Sequence, residues 1–487
     1  MPARDSPTRG TCATLLAMRT LPIQMDDIAG MKVTVMGLGL HGGGLASAKF
    51  FYDRGAELTV TDLRDEKVLA PSIEALEDRN IRFVLGRHEM DDFSRADIVI
   101  KNPAVRRTSP FLAAARRIES DISVFLRYSK SPLLAVTGSK GKSSTATALH
   151  HGFQSAGKKS LLGGNITVSP LNFLEETSAD VPVVLELSSW QLADLRGLGV
   201  LKPKVAILTA IMPDHMNYYS SMEEYVADKR VIYSEQDAED VTICDRDSPW
   251  GRSFAAETRA KVLWYADSPH REAGGWLERS QSGEVEGYAL GDWIPAGDYR
   301  IKPTRIVPED LRVPGQHMRK NLLAAGLGLL ALGLEPKAIV QAFSCFSGVE
   351  HRLEFFHEAE GVRWYNDSAS TIPQAVAAAL YSFSAPIVLI TGGTDKNIDF
   401  SDSAEKYAKA TRIVLLSGSG TEKLMPLLAA RGLGWSGPYS DLDSAIAEAR
   451  RLAKPGSVVL FSPGCTSFGM FLHEFDRGKK FKTCVAG

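Results

Sequence analysis

The stretch Leu134-Leu-Ala-Val-Thr-Gly-Ser-Lys-Gly-Lys-Ser-Ser144 limits the folds open to this chain more than any other segment. An apolar run stops at a glycine turn, a lysine and two hydroxyls follow, and Thr145-Ala-Thr-Ala-Leu149 can continue as helix. Strand, phosphate-cradling loop and helix in that order belong to an α/β fold. Gly138 and Gly141, with Ser139 and Lys140 between them, let main-chain N–H groups approach phosphate oxygens, and the helix start favours negative charge. Lys142 would reach the terminal phosphates of a nucleotide, and the Ser143 hydroxyl, followed by Ser144, would ligate Mg²⁺.

The same grammar recurs on both sides of the loop. Lys32-Val-Thr-Val-Met36 reads as a buried strand, Gly37-Leu-Gly39-Leu-His-Gly42 as a turn into a helix through Phe51, and Glu57-Leu-Thr-Val-Thr61 as a second strand ending at Asp62. Three glycines at that spacing, with an acidic residue 20 positions after Gly42, match the layout of a dinucleotide fold. Strands are predicted at 81–84 and 96–100, then 181–185, 205–208, 241–244 and 262–264, then 362–365, 387–390, 412–416 and 457–461. Residues 268–312 carry short alternations and read as a small β excursion, while 321–332 is a clear helix. Three α/β domains follow: 31–131, 132–349 and 350–487. Residues 1–30, with only the short apolar patch Ala13–Met18, read as a dispensable unstructured extension rather than a secretory signal.

At 487 residues there is length for two to four cores. A net charge of −2 gives no reason to expect nucleic acid or an anionic membrane as partner. No run approaches the roughly 18 apolar residues of a membrane span. The five cysteines (Cys12, Cys244, Cys345, Cys465, Cys484) show no metal spacing, so a reducing cytoplasm is the expected compartment.

The turns after the strands hold the chemistry. Asn165 follows Gly163-Gly164, and Glu186 ends a strand beside the phosphate loop, where a carboxylate can hold Mg²⁺. Asp214-His215 follows another strand; imidazole is an unusual magnesium ligand, and spacing alone leaves a simple turn histidine equally open. Lys229 sits in Glu223–Tyr233, which by composition is an amphipathic surface helix with Tyr225, Lys229 and Tyr233 on one face.

Taken together, Thr137–Ser144, Gly164-Asn165, Glu186-Leu-Ser-Ser189, Asp214-His215, Lys229, Gly315-Gln-His317 with Asn321, His351-Arg352, Asn366-Asp-Ser368 and Ser462-Pro-Gly-Cys-Thr-Ser467 resemble the Mur ligases, ATP-dependent amide-forming enzymes of peptidoglycan assembly. The resemblance runs from Met31 to the end. It implies a Rossmann-like UDP-binding domain, a central P-loop ATPase-like domain and a C-terminal Rossmann-like domain. It also implies two Mg²⁺ ions, held by Ser143, Glu186, His215 and a carbamylated Lys229, with Lys142, His215 and Lys229 central to catalysis. His317, Asn321, Arg352 and Asp367 would join Gly138–Ser144 in binding ATP. Leu40, His41, Asp62, Arg64 and Asn165 would hold the UDP substrate, making the first glycine turn a UDP-sugar site rather than a NAD site.

Glu186–Leu192, Gly361–Ser368 and Ser462–Gly478 most resemble the branch that joins D-glutamate to UDP-N-acetylmuramoyl-L-alanine. In that resemblance Lys396, Thr371, Ser467 and the Phe468 main chain take the incoming amino acid. The chain departs from the family pattern at Met318, Ala369, Ile372 and Glu474, which leaves the acceptor open: D-glutamate stands first, L-glutamate second, and a sister or folylpolyglutamate-type ligase, or a non-catalytic nucleotide-binding protein, stands behind them. A monomer is the expected form.

Overall fold

The computed structural model describes residues 25–40, 42–166, 168–280, 285–291, 302–395, 399–467 and 470–487. The chain divides into two compact units, one of Met1–Trp276, Ala289–Thr304 and Ala324–Glu335, the other of Leu277–Tyr288, Arg305–Leu323 and Pro336–Gly487.

The first unit begins with five parallel strands: β1 (Lys32–Met36), β2 (Glu57–Asp62), β3 (Arg82–Leu85), β4 (Ile98–Lys101) and β5 (Ile118–Glu119). Their order is β3-β2-β1-β4-β5, so the winding reverses at β1, and such sheets take ligands at the carboxyl ends of the strands there. Helix α1 (Gly43–Tyr52) follows β1, and α2 (Asp121–Tyr128) follows β5 under a capping box in which Ser120 and Ser123 exchange hydrogen bonds. Sequence reading places the start of this layer at Met31. The structure moves it earlier: Ile28 is fully buried in the core, and the Gly30 amide donates to the Gly55 carbonyl at 2.8 Å. A single apolar residue among Asp, Ala and Gly carries no periodic signal, so its burial was not legible; residues 1–24 lie outside the described residues.

The second layer of this unit holds the parallel strands β6 (Leu133–Thr137), β7 (Leu161–Gly164), β8 (Val183–Glu186), β9 (Val205–Leu208), β10 (Val241–Asp245) and β11 (Lys261–Ala266), with β12 (Gly274–Arg279) pairing to β11. In the order β12-β11-β10-β9-β6-β8-β7, β6 lies between β9 and β8 and every residue of it is buried. Strands covered on both faces read as continuous apolar runs, which is why they were visible in the sequence. Helices α3 (Lys142–Ser155), α4 (Ser189–Leu195) and α5 (Met222–Lys229) carry the chain back. Helix α6 (Gln316–Ala331) packs its second half against α3 at Gly152, where an added Cβ would lie 2.3 Å from Leu329 Cδ1. The short alternations expected at 268–312 become β12, β13 (Val285–Leu290) and β14 (Thr304–Val307).

One apolar cluster runs from Ile28 to Phe254 and joins both layers of the first unit. Phe125 meets Phe173 edge-on at 5.7 Å, and Ser169 Oγ donates to Asp121 Oδ2 at 2.8 Å. The nearly water-free pair Lys101–Asp194, 2.6 Å apart, fixes the carboxyl end of β4 to α4. Buried pairs of this kind specify an arrangement more than they stabilise it.

The second unit is built on β15 (Glu354–Ala359), β16 (Val362–Asn366), β17 (Ile387–Thr391), β18 (Arg412–Leu416), β19 (Ser436–Tyr439) and β20 (Val458–Phe461), ordered β15-β16-β20-β17-β18-β19. Only β15 is antiparallel. The last strand, β20, inserts between β16 and β17, so the turns after these three meet at the sheet's switch point. Helices α7 (Pro373–Leu380) and α8 (Glu474–Ala486) flank it. No described helix is long and apolar enough to cross a membrane.

Two positions test this packing. A Cβ at Gly44 would fall 2.3 Å from the carbonyl oxygens of Gly37 and Leu38, so Gly44→Ala must lift α1 from the β1 turn. Gly44→Ala and Ile28→Ala should each cost about 2 kcal/mol or more and lower the melting midpoint by several degrees. Gly434→Ala, with nothing within 4 Å, should leave it unchanged; scanning calorimetry of the three variants checks this.

Candidate active site

The phosphate loop is shaped by three contacts with the turn after β9. Gly138 has φ 151°, and a Cβ there would fall 1.9 Å from Thr209 Oγ1. The Ser139 amide donates to the Ala210 carbonyl at 2.8 Å. The buried Ser139 hydroxyl donates to Met212 O (2.8 Å), accepts from Met212 N (3.0 Å) and receives the Tyr225 hydroxyl at 3.1 Å. Ser139 therefore braces the loop with its side chain, while exposed Lys140 pairs with Asp214 at 3.1 Å. Gly141, at φ 94°, turns the chain into α3, whose first residues are Lys142, Ser143 and Ser144.

Two amines converge on one carbonyl. Lys142 Nζ donates to Gly138 O (3.1 Å) and Ser139 O (2.9 Å), and Lys229 Nζ donates to the same Gly138 O at 2.8 Å. The expected amphipathic surface helix around Lys229 is corrected here. Lys229 is 1% exposed, and Tyr225, Val226, Val231, Ile232 and Tyr233 are buried with it. Tyr225 and Lys229 share one face of α5, and that face is buried where composition alone suggested a surface helix; a 3-10 turn, Arg230–Tyr233, follows. The Lys229 Nζ lies 4.4 Å from the Tyr225 ring centroid. Burial, and then the charge on Lys142, push the Lys229 amine down to about 7, against the pull of Asp214, Asp228 and Glu186.

Glu186 ends β8 fully inside. Its Oε1 accepts from Asn165 Nδ2 at 2.9 Å, and its carbonyl accepts the Asn165 amide at 2.8 Å. Gly164, at φ 99°, permits this approach, because a Cβ would lie 2.1 Å from Glu186 O. Glu186 Oε2 is buried without a hydrogen-bond partner. A buried carboxylate oxygen left unpaired beside a phosphate loop suits a hard cation. Among the described residues no three His, Cys, Asp or Glu side chains gather into a metal cluster. Mg²⁺ requires less, since it is commonly held by one or two carboxylates with substrate phosphates and water. His215 sits at φ 56° with nearly half its side chain exposed, its ring 5.0 Å from that of Trp190 and 6.5 Å from that of Tyr225. The structure thus brings Lys142, Lys229, Asn165, Glu186 and His215 around the carboxyl ends of β6, β8 and β9.

In the first layer, Asp62 ends β2. Its carboxylate accepts from the Gly39 amide (3.2 Å) and from the amide and guanidinium of Arg64 (3.0–3.2 Å). Burial pushes Asp62 up, but the Arg64 and Gly39 hydrogen bonds outweigh it and hold the carboxyl below its usual range. Leu40 is exposed on the turn, and His41 lies outside the described residues. Gly44, which the sequence pattern passed over, is the glycine that seats α1; the signal was the run Gly42-Gly-Gly44 itself.

In the second unit, His317 stands exposed in the first turn of α6, though partial desolvation lowers its basicity, and Asn321 follows one helical turn later. Met318 is in the core. Asp367 ends the β16 turn and accepts from Ser370 Oγ (2.6 Å), Ser462 Oγ (2.7 Å) and Leu353 N (3.1 Å). Burial pushes it up to about 6 despite those bonds and the charge of Arg352. Around the switch point, the Gly464 amide donates to Ser370 O at 2.8 Å and the Thr466 amide to Thr394 O at 3.1 Å. Thr371 is half-buried and Ser467 buried beside these turns. Lys396 and Phe468 lie outside the described residues.

Comparison with known proteins covers the whole of this architecture. Residues 31–124 match the Mur ligase MurD-like N-terminal domain, 136–328 the Mur ligase middle domain, and 351–465 the Mur ligase, glutamate ligase domain. The chain is 42% identical to the UDP-N-acetylmuramoylalanine--D-glutamate ligase of Treponema pallidum (strain Nichols), over 94% of this chain and 98% of that one. It is 40% identical to the enzyme of the same name from Roseiflexus sp. (strain RS-1), over 94% and 99%. Among solved structures, UDP-N-acetylmuramate-alanine ligase from Thermotoga maritima shares the fold, with a TM-score of 0.54 at 19% identity over 94% of this chain and 99% of that one.

The Lys229 amine gives a pH signature. Unfolded, it titrates near the ordinary 10.5; folded, near 7. Between these values the unfolded chain binds more protons, so the penalty for burying this amine, full below about 7, is relieved as pH rises to 10.5. In CO₂-free buffer, the stability difference between wild type and Lys229→Met should therefore shift in favour of wild type across that window. Denaturation midpoints measured from pH 7 to 10.5 check the sign; a flat difference would place Lys229 in water.

Proposed function

The chain belongs to the Mur ligase family, and on that premise we propose a residue-level account of an ATP-dependent ligase that joins D-glutamate to UDP-N-acetylmuramoyl-L-alanine. The γ-phosphoryl of ATP passes to the terminal carboxylate of the UDP substrate. The amine of glutamate attacks the resulting acyl phosphate, the C–O bond breaks, and inorganic phosphate leaves with the amide formed. The observation that carries this reading is the shared Gly138 carbonyl beside Glu186, whose inner oxygen has no protein partner.

Phosphoryl transfer asks the protein mainly for positioning and charge neutralisation. The loop Gly138–Ser144 holds the phosphates, its main-chain amides from Gly141 onward facing them while those of Ser139 and Lys140 stay on the Ala210 carbonyl, and Lys142 leaves its loop carbonyls to meet the γ-phosphate. Ser143 and Glu186 would hold one Mg²⁺, and His215 with a carbamylated Lys229 a second; when bound, the ions neutralise charge on the transferring group. A neutral amine is what reacts with CO₂, and the depressed basicity of Lys229 supports that modification. Asn165 orients Glu186 and faces the UDP substrate, whose uracil end we assign to Leu40, His41, Asp62 and Arg64. His317, Asn321, Arg352 and Asp367 are assigned to the nucleotide, and Thr371, Lys396, Ser467 and Phe468 to the acceptor. We place the reaction in the cytoplasm, where ATP and a reduced set of cysteines are compatible.

Three measurements test the account. Lys142→Ala should cost on the order of 10²-fold or more in phosphate release while the protein stays folded. With ¹³C-labelled CO₂, a carbamate carbon resonance should appear in wild type and vanish in Lys229→Ala; fully active enzyme with an unmodified ammonium would refute the modification. Turnover with L-glutamate and none with D-glutamate would reverse the acceptor assignment.

A further inference from the structure

Among the described residues the largest fully buried side chain is a cation, Arg477 in the first turn of α8, with 1% of its surface exposed. Its guanidinium meets only neutral acceptors. Nε donates to Ser368 Oγ at 3.0 Å, Nη2 to Ser368 O at 2.8 Å, and Nη1 to Cys465 O at 3.1 Å. Among the described residues no carboxylate comes within salt-bridge distance. Glu474 acts on it only at longer range, and burial lowers its basicity to about 10. Buried charge is costly unless paired, so an isolated guanidinium held by two carbonyls and a hydroxyl needs a reason.

Its position supplies one. Ser368 belongs to the turn after β16 and Cys465 to the turn after β20, neighbouring strands at the switch point. Each anchor lies within three residues of a proposed acceptor ligand, Thr371 on one side and Ser467 on the other. The adjoining turn after β17 is tied in through Thr466 and Thr394. Room for the α8 end is cut to fit, since a Cβ at Gly478 would lie 2.2 Å from His351 Nδ1.

We propose that Arg477 is a positioning residue that sets the charge preference of the acceptor pocket. It fixes the Ser368 and Cys465 turns, and its unneutralised charge behind them favours an acceptor that brings two carboxylates. The inference rests on the assignment of this pocket to glutamate. A dicarboxylic amino acid completes the charge balance that the protein leaves open; a neutral or diamino acid does not.

The test is steady-state phosphate release by Arg477→Lys and Arg477→Gln in the full chain, with ATP and UDP-N-acetylmuramoyl-L-alanine saturating and glutamate varied. Arg477→Gln should raise the glutamate KM roughly tenfold or more while the KM for the UDP substrate stays put, and Arg477→Lys should recover most of that KM by restoring charge. A merely structural strut predicts otherwise: kcat and melting temperature fall, glutamate KM holds, and lysine, which cannot make the three-way bond, rescues nothing. Either of those KM results would overturn the proposal. Should Arg477→Gln not fold, Arg477→Lys decides by its pH profile: a glutamate KM that climbs relative to wild type between about pH 7 and 10, as a buried lysine loses its proton, supports the charge role, and a KM that runs parallel to wild type contradicts it. Wild-type activity with L-glutamate only would reverse the acceptor assignment instead, leaving Arg477 to be judged by the KM of that dicarboxylate.

Discussion

The site depends on how closely the chain approaches itself at Gly138. No side chain fits there, because Thr209 occupies the space where a Cβ would stand. That closeness lets the β6 turn bond to the β9 turn, and it presents the Gly138 carbonyl to two lysines from different helices. One carbonyl cannot neutralise two ammonium groups. The arrangement persists because one amine is held deprotonation-prone by burial, because Lys142 also meets Ser139 O, and because the loop is built for anions.

The same economy recurs across the molecule. Glu186 is half satisfied by Asn165 and left with an orphan oxygen. Asp367 is held by two serines and an amide, and is still pushed up to about 6. Arg477 is bonded only to neutral groups. Fixed charges that cost energy in the free protein are what preorganised catalysis uses, since the protein then has nothing to reorganise as charge moves. By contrast, purely architectural charges are closed pairs, as with Lys101 and Asp194.

The sequence made most of this readable where local chemistry and fold agree. Strands β6, β8 and β9 are mostly apolar runs because parallel strands are covered on both faces, and residues that shape the site stand at or just past their ends: Gly138 after β6, Glu186 at the end of β8 and Thr209 after β9. What escaped notice depended on tertiary context. Ile28 is buried by a layer that closes over it from elsewhere in the chain. Lys229 lies on a helix whose charged residues advertise solvent, yet the face it shares with Tyr225 is buried. Gly44 stands two positions beyond the glycine spacing that pattern reading counts, and β7, β15 and β19 are too short or too polar at their edges to signal themselves. Assignments resting on resemblance, such as Lys396 and Phe468, had no local signal at all.

The central claim is that ATP activates the substrate's own carboxylate, so the decisive measurement follows oxygen. UDP-N-acetylmuramoyl-L-alanine labelled with ¹⁸O in the alanyl carboxylate should be turned over with ATP and D-glutamate, and the released phosphate analysed by its ³¹P isotope shift. An acyl phosphate requires that one carboxylate oxygen leave with phosphorus, so the account predicts one ¹⁸O per phosphate released. Unlabelled phosphate, its new oxygen drawn from water, would mean that the phosphate loop hydrolyses ATP without activating the substrate, and would contradict the mechanism.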